Sequence, residues 1–125
     1  MIVLTTKNLI LRPFRPEDAA DVYRYSQSPN VGPNAGWKPH ESLEESRRIM
    51  GEIFLDQNSV WGITLKPDDR VIGSIGLLAD AKRQNYSVMM LGYALDEQYW
   101  GRGIAMEAAR AVIKYGFEEL DLTMI

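Results

Sequence analysis

The 125-residue sequence contains no cysteine and only one histidine. The absence of thiols excludes disulfide bridges, thiolate metal sites and a cysteine nucleophile from these residues. No stretch approaches the roughly 20 consecutive apolar residues that a membrane-spanning helix needs. Lys7 and Arg12 interrupt the apolar N-terminal stretch, which therefore lacks the core of a signal peptide. We expect a cytoplasmic protein that uses neither a membrane nor a metal ion.

Clustered positive charge is also missing from the sequence. The 14 basic residues are interleaved with 17 acidic ones, and the formal net charge is −3. A nucleic-acid-binding surface needs Lys and Arg concentrated on one face, so DNA and RNA are not expected as partners. Apolar residues make up 46% of the chain, which at this length is enough for one domain with a hydrophobic core.

The pattern of apolar and turn-forming residues predicts the order β-α-α-β-β-β-α-β. This order is typical of an α/β or α+β fold with a mixed sheet. Proline and acidic residues mark the start of the first helix, and a capping box marks the start of the second. The predicted elements are a strand within Leu4–Phe14, helices Pro16–Gln27 and Ser42–Leu55, strands Val60–Lys66, Val71–Leu78 and Ser87–Leu95, a helix Ile104–Phe117, and a strand beginning near Leu120.

A glycine-rich turn lies between the predicted strand that ends at Leu95 and the predicted helix that begins at Ile104. Gly101 and Gly103 have no Cβ, so phosphate oxygens can approach the main chain, and the helix N-terminus supplies N–H donors and a positive dipole. A pyrophosphate is the expected ligand, although close packing of the helix on the sheet explains two glycines equally well. The segment lacks the ending of a P-loop, and Met106 stands where a dinucleotide fold has its third glycine.

The residues Tyr99–Ala108 resemble the coenzyme A motif of GNAT acetyltransferases of the ribosomal-protein N-terminal type. Leu9–Ala19 is similar to the opening strand and helix of this family, and Trp61–Ile63 and Val71–Ile75 are similar to its second and third strands. The resemblance implies the GNAT fold, a mixed and mostly antiparallel central sheet flanked by helices. It also implies that residues 1–125 form one N-acetyltransferase domain that is incomplete at its C-terminus, with the usual general acid lying beyond it.

Two registers of the family motif fit this sequence. The motif is Gln or Arg, two residues, Gly, one residue, and Gly or Ala; Gln98–Gly103 matches it literally. Trp100–Ala105 matches it with tryptophan in the first place. We favour the second register because it leaves four residues between Leu95 and the motif, the spacing that the family implies.

The resemblance implies acetyl-CoA as the co-substrate. Main-chain N–H groups of the glycine turn would hold its pyrophosphate, and the end of the preceding strand would pair with its pantetheine arm as a further strand would. The N–H of Leu95 would polarise the thioester carbonyl. The implied cofactor-binding residues are Tyr93, Ala94, Leu95, Trp100, Gly101, Arg102, Gly103, Ile104 and Ala105.

With no cysteine available, the simplest mechanism is direct attack by a neutral primary amine, either a protein N-terminal α-amine or a small-molecule amine. Trp37, in a loop rich in Pro and Gly, is the candidate substrate-binding residue; anchoring of that loop on the core is the alternative. The general base and acid are not assigned. His40 is expected to be solvated, and Asp96 and Glu97 either order a water molecule or act as capping groups.

Two other functions fit the same sequence. One is a catalytically silent acyl-CoA-binding or regulatory module, and the other is an interaction domain whose glycine turn serves packing alone. Release of the coenzyme A thiol on addition of an amine separates the enzyme from both. A chain that ended at Ile125 would present Leu120–Ile125 as an apolar strand with an open edge, which favours pairing. Such a chain is expected either to self-associate, for example as a homodimer, or to bind coenzyme A poorly.

Overall fold

The computed structural model describes residues 3–28, 40–53, 60–79 and 89–119. A 3₁₀ turn at Pro16–Asp18 precedes the first helix, and a second one at Glu97–Tyr99 follows the last strand. The elements, in chain order, are β1 Leu4–Thr5, β2 Leu9–Arg12, α1 Ala19–Ser26, α2 Leu43–Ile53, β3 Val60–Leu65, β4 Val71–Ala79, β5 Met89–Leu95 and α3 Ile104–Glu119.

From the first helix onward this order agrees with the prediction. The strand expected from Leu120 lies outside the described residues. None of the helices in the described part of the chain combines the length and apolarity that crossing a membrane requires.

The five strands form one antiparallel sheet in the order β1-β2-β3-β4-β5. The turn-forming residues Pro67, Asp68, Asp69 and Arg70 predict a hairpin between two of the strands, and β3 and β4 form it. β4 pairs with β5 from Gly73 opposite Leu95 to Ala79 opposite Met89. Among the strands that the structure describes, β5 lies at one edge of the sheet and β1 at the other. The second edge of β5 therefore has no neighbouring strand there.

The predicted first strand forms two strands rather than one. β1 and β2 pair around a turn at Thr6–Asn8, in which the N–H of Thr6 donates to the carbonyl of Leu9 at 2.9 Å. The polar residues Lys7 and Asn8 occupy this turn, because a polar pair between two apolar runs favours a tight reversal over a continuous strand.

Helices cover both faces of the sheet. Val60 and Trp61 are adjacent in β3 but belong to different hydrophobic clusters, and successive residues of a strand point to opposite faces. α3 packs on the face that contains Trp61, and α1 and α2 pack on the face that contains Val60. The fold is therefore α/β with a sheet flanked by helices, as predicted.

The helical spacing of the apolar residues in α3 predicts one buried face, made of Ala105, Ala109, Val112, Ile113, Gly116 and Phe117. The structure departs from this prediction in part. Ile104, Ala108 and Val112 are spaced four residues apart and face the sheet. Phe117, which was expected on the buried face, is 44% exposed. It lies nine residues from Ala108, which is about 2.5 helical turns, so the two side chains point in opposite directions.

Candidate functional site

A cavity of about 470 Å³ lies where the end of β5 meets the N-terminus of α3. Eight of the nine predicted cofactor-binding residues line it, and Arg102 is the exception. Four further lining residues were not predicted. They flank the predicted ones along the chain, and the motif spacing gives no signal for them: Leu91, Gly92, Tyr99 and Met106.

The main-chain groups of β5 alternate between the two edges of the strand. The N–H of Asp96 donates to the carbonyl of Ile72 at 2.7 Å, which sets the phase of the antiparallel ladder. In this phase the main-chain groups of Ala94 point to β4, and those of Tyr93 and Leu95 point to the other edge. Only Tyr93 and Leu95 of the three predicted residues therefore offer their N–H and C=O groups at this edge.

The side chain of Trp100 lies against the end of β5 at this edge. Its indole Nε1 donates to the carbonyl of Leu95 at 2.9 Å, and its ring is 43% exposed in the cavity wall. The carbonyl of Leu95 is thereby occupied. The N–H of Leu95 remains as the donor beside the cavity.

The glycine turn has a left-handed backbone at two positions. Gly101 has a φ of +79° and Gly103 a φ of +77°, a region that side chains with a Cβ adopt only at a cost. A Cβ built at either position would meet no described atom within 4 Å. At Gly73 in β4, by contrast, a Cβ would lie 2.5 Å from the carbonyl oxygen of Ala94. Close packing thus explains Gly73 but not the two glycines of the turn.

The N-terminus of α3 presents main-chain donors to the cavity. The first hydrogen bond at this end of the helix runs from the N–H of Glu107 to the carbonyl of Gly103 at 3.0 Å. The N–H groups of Ile104, Ala105 and Met106 precede it, and first-turn N–H groups have no partner within their own helix. All three residues line the cavity. The positive end of the helix dipole adds to these donors, and together they favour an anion.

Arg102 lies outside the cavity lining and its side chain is exposed. Its guanidinium carbon is 5.4 Å from the centre of the Tyr99 ring, within the range of a cation–π contact. The hydroxyl of Tyr99 in turn accepts a hydrogen bond from Arg70 at 2.8 Å. Both cations therefore lie beside the glycine turn and add positive charge there.

Asp96 is a capping residue. Its buried carboxylate accepts a hydrogen bond from the N–H of Gln98 at 3.2 Å and forms an ion pair with Arg24 of α1 at 3.3 Å. Arg24 also pairs with Asp21 and donates to the carbonyl of Val71. These bonds fix the end of β5 to α1 and confirm the capping interpretation. Glu97, beside Asp96, is exposed.

His40 is buried, and the expectation that it is solvated is wrong. Its main-chain N–H donates to the carbonyl of Ser26 at 2.8 Å, and its Nδ1 shares a hydrogen bond with Ser46 Oγ at 2.7 Å. Burial lowers the pKa of the imidazole. His40 thus joins the end of α1 to α2, a contact that depends on tertiary packing. Trp37, the candidate acceptor contact, lies outside the described residues.

Metal ligands do not come together in the part of the chain that the structure covers. Among those residues no group of three or more His, Asp or Glu side chains is placed to hold a metal ion.

A sequence model of the acetyltransferase (GNAT) domain matches residues 8–125. One relative, the protein named uncharacterized N-acetyltransferase p20 from Bacillus licheniformis, is 31% identical over 129 residues. That match covers 100% of this chain and 71% of the relative.

Crystal structures show the same fold. A GNAT-family acetyltransferase from Bacillus anthracis superposes with a TM-score of 0.79 at 21% identity, over 97% of this chain and 69% of that one. The ribosomal-protein-S5-alanine acetyltransferase from Vibrio fischeri superposes with a TM-score of 0.69 at 18% identity, over 98% of this chain and 70% of that one. With the domain match across nearly the whole sequence and the 31% relative, these likenesses agree on one assignment: the chain belongs to the GNAT family of acetyltransferases.

Proposed function

We propose that this chain transfers an acetyl group from acetyl-CoA to a primary amine, and that the acceptor is a protein N-terminal α-amine. The observation that carries the proposal is the cavity that joins a helix N-terminus, through an open glycine turn, to an edge of β5 that has no neighbouring strand among the described residues. A strand edge fits a ligand with amide groups, and the turn fits a pyrophosphate. Coenzyme A contains both.

The glycine turn would hold the pyrophosphate. The space above Gly101 and Gly103 is open, and the main-chain N–H groups from Gly101 to Ala105 lie beside it. Trp100 and Ile104 would form the adjacent cavity wall. Arg102 would attract the phosphates by its positive charge from outside the cavity, without direct contact with the ligand.

Tyr93 and Leu95 would pair with the pantetheine arm. Their main-chain groups point to the edge of β5 that faces away from β4, whereas Ala94 would contribute only its place in the cavity wall. Bound acetyl-CoA supplies the acetyl group as a thioester. The N–H of Leu95 is the donor that we assign to the thioester carbonyl, since Trp100 already occupies the carbonyl of Leu95.

Two observations support an α-amine as the acceptor. The sequence resembles acetyltransferases of the ribosomal-protein N-terminal type, and the structural neighbour from Vibrio fischeri carries that activity in its name. An α-amine, with a pKa of about 7.7–8, is neutral far more often near pH 7 than a lysine with a pKa of about 10.4. An acceptor that loses its proton readily makes the smallest demand on a general base. Trp37 remains the proposed acceptor contact.

A thiol-release assay tests the proposal. Acetyl-CoA is mixed with the full chain and one of three acceptors. The first is a peptide with a free N-terminus and an internal lysine, the second is the same peptide with its N-terminus blocked, and the third is a small diamine. We expect thiol release with the free N-terminus and only background release with the blocked peptide. Coenzyme A binding without thiol release from any acceptor would instead indicate a silent acyl-CoA-binding module. Calorimetry that detects no coenzyme A binding would contradict the proposal and favour an interaction domain.

A further inference from the structure

A second cavity, of about 560 Å³, adjoins the glycine turn along the outer side of α3. Gly103 and Met106 line both this cavity and the first one. The other α3 residues in its lining include Glu107, Arg110 and Lys114. Because the two cavities meet at Gly103 and Met106, a ligand with its pyrophosphate at the turn can continue from one cavity into the other.

Arg110 and Lys114 place two positive charges in the lining of this second cavity. Both are exposed, and in the described ranges no carboxylate lies within 4 Å of either side chain. Like charges four residues apart on a helix repel each other, and at the middle of α3 they gain nothing from the helix dipole. In a chain whose net charge is −3, such a pair concentrates positive charge locally, which favours an anion.

The contacts of Glu107 explain why this carboxylate does not pair with Arg110, which lies three residues later on the same helix. A carboxylate three residues before an arginine is well placed for an ion pair. Glu107 instead accepts hydrogen bonds from the hydroxyl of Thr6 and from the main-chain N–H and side-chain amide of Asn8, the last two at 2.9 Å. These bonds, with Thr6 the strongest, lower the pKa of Glu107 and direct its charge to the β1–β2 turn.

Met106 adds an apolar surface next to the two cations. Its side chain is 60% exposed, and its Sδ lies 3.5 Å from the guanidinium of Arg110. A thioether makes favourable contacts with aromatic rings. The second cavity thus offers a platform for an aromatic ring and two cations for an anion, directly beyond the glycine turn.

We propose that Met106, Arg110 and Lys114 form a subsite for the 3′-phosphoadenosine end of coenzyme A. The two cations face the 3′-phosphate, and Met106 contacts the adenine. This inference rests on the proposed function, because it requires the pyrophosphate to lie at the glycine turn. The subsite distinguishes coenzyme A from 3′-dephospho-coenzyme A, which is identical except for that one phosphate.

Calorimetric titration of the full chain with both nucleotides tests the subsite. We expect wild type to bind coenzyme A about tenfold more tightly than the dephospho form, the effect of two exposed ion pairs of ordinary strength. In the double variant Arg110→Gln, Lys114→Gln the two affinities should become equal, and each single variant should lose part of the preference. The matched control is Arg47→Gln, which removes the same charge from an exposed position of α2 and should keep the wild-type ratio.

The outcomes separate this inference from the function on which it rests. If the double variant still binds coenzyme A with the wild-type preference over the dephospho form, the subsite is wrong and the glycine-turn site stands. If neither nucleotide binds to wild type, the proposed function fails and the subsite fails with it. The preference should also weaken as salt is added, because exposed charges are screened. A preference that is independent of salt would contradict the assignment to Arg110 and Lys114.

Discussion

Gly73 and Gly103 are glycine for different physical reasons. A side chain at Gly73 would collide with the backbone of β5, whereas Gly103 has open space around it and a φ of +77°. Both glycines lie near the ends of secondary-structure elements. The sequence alone therefore does not show which of these two reasons applies to which glycine. The backbone conformation separates a glycine required by packing from one at a turn that can face a ligand.

Substitution of Gly103 by asparagine should abolish coenzyme A binding in a folded protein. Asparagine adopts the left-handed region more readily than other residues with a Cβ. The variant should therefore lose about 1 kcal/mol of unfolding free energy. Its side chain would project into the space that the pyrophosphate requires. Valine would add the strain of a branched Cβ at positive φ and would confuse the two effects. Calorimetry and thermal unfolding measure binding and stability separately.

The control for this variant is Gly51→Asn in α2, where a Cβ also meets no described atom within 4 Å. It should leave coenzyme A binding unchanged. A folded Gly103→Asn protein with wild-type affinity would contradict the phosphate site.

Hydrogen exchange should distinguish the three consecutive residues at the end of β5. The N–H of Ala94 is already paired with β4, whereas those of Tyr93 and Leu95 point to the edge that faces away from β4. Coenzyme A should therefore slow amide exchange at Tyr93 and Leu95 and leave Ala94 nearly unchanged, as measured by NMR with and without the ligand. Equal protection of all three would indicate a general stabilisation of β5 instead of pairing along its edge.

Sequence patterns named candidate residues that mostly lie around one cavity, but they did not give the directions of the main-chain groups. Motif and spacing identified the strand end and the glycine turn, eight of whose nine named residues line one cavity. Which groups of β5 reach the edge depends on its register with β4, and no local pattern reports that register. His40 was misjudged for the same reason, because α1 and α2 bury it through contacts that are remote in sequence.

Among the elements, α3 shows where periodicity is insufficient. Its start followed from the glycine turn, but apolar residues occur around much of its circumference, including the exposed Met106 and Phe117. A helix of this kind does not reveal from sequence which side faces the sheet. β3 and β4 were predicted well because Pro67 and its polar neighbours fix the reversal between two apolar runs.

The link between α1 and β5 predicts a large effect of removing Arg24. Arg24→Leu would leave the buried carboxylate of Asp96 without its counter-ion, and loss of one partner of such a pair is costly. Because Arg24 is itself partly exposed, we expect a loss of about 2–3 kcal/mol in unfolding free energy, measured with urea. The control is Arg15→Leu, whose exposed pair with Asp69 should contribute under about 1 kcal/mol. Equal losses in the two variants would contradict this role of Arg24.

The junction of α1 and α2 predicts a pH dependence. Burial lowers the pKa of folded His40 below its ordinary value of 6.5, although the charge of Glu45 opposes this. The unfolded chain then binds a proton more readily, so stability should fall as the pH decreases through 6.5 towards the folded pKa. Glu107 and Asp69 have lowered pKa values and act only in a more acidic range.

Urea unfolding at several pH values, for wild type and His40→Gln, measures this effect. The variant should lack the slope just below pH 6.5. Identical slopes for the two proteins would show that His40 is not its source.

At the scale of the whole molecule, the sheet separates two hydrophobic clusters, and the end of β5 contributes a residue to each of them. Leu95 packs in the cluster under α3, its neighbour Ala94 packs in the cluster under α1 and α2, and Asp96 joins the strand to Arg24. The candidate site thus lies at the end of a strand that packs against helices on both faces of the sheet. A ligand bound there should stabilise the entire fold rather than one loop.

Coenzyme A should therefore raise the unfolding temperature of the full chain. A ligand that binds only the folded state at 100 times its Kd adds about 2.7 kcal/mol to the unfolding free energy. For a domain of this size that corresponds to about 10 °C in Tm. Thermal unfolding with and without the ligand measures the shift, and Gly103→Asn should show none at the same concentration. If the variant were stabilised as much as wild type, coenzyme A would be binding elsewhere, because nothing but the glycine turn distinguishes the two proteins.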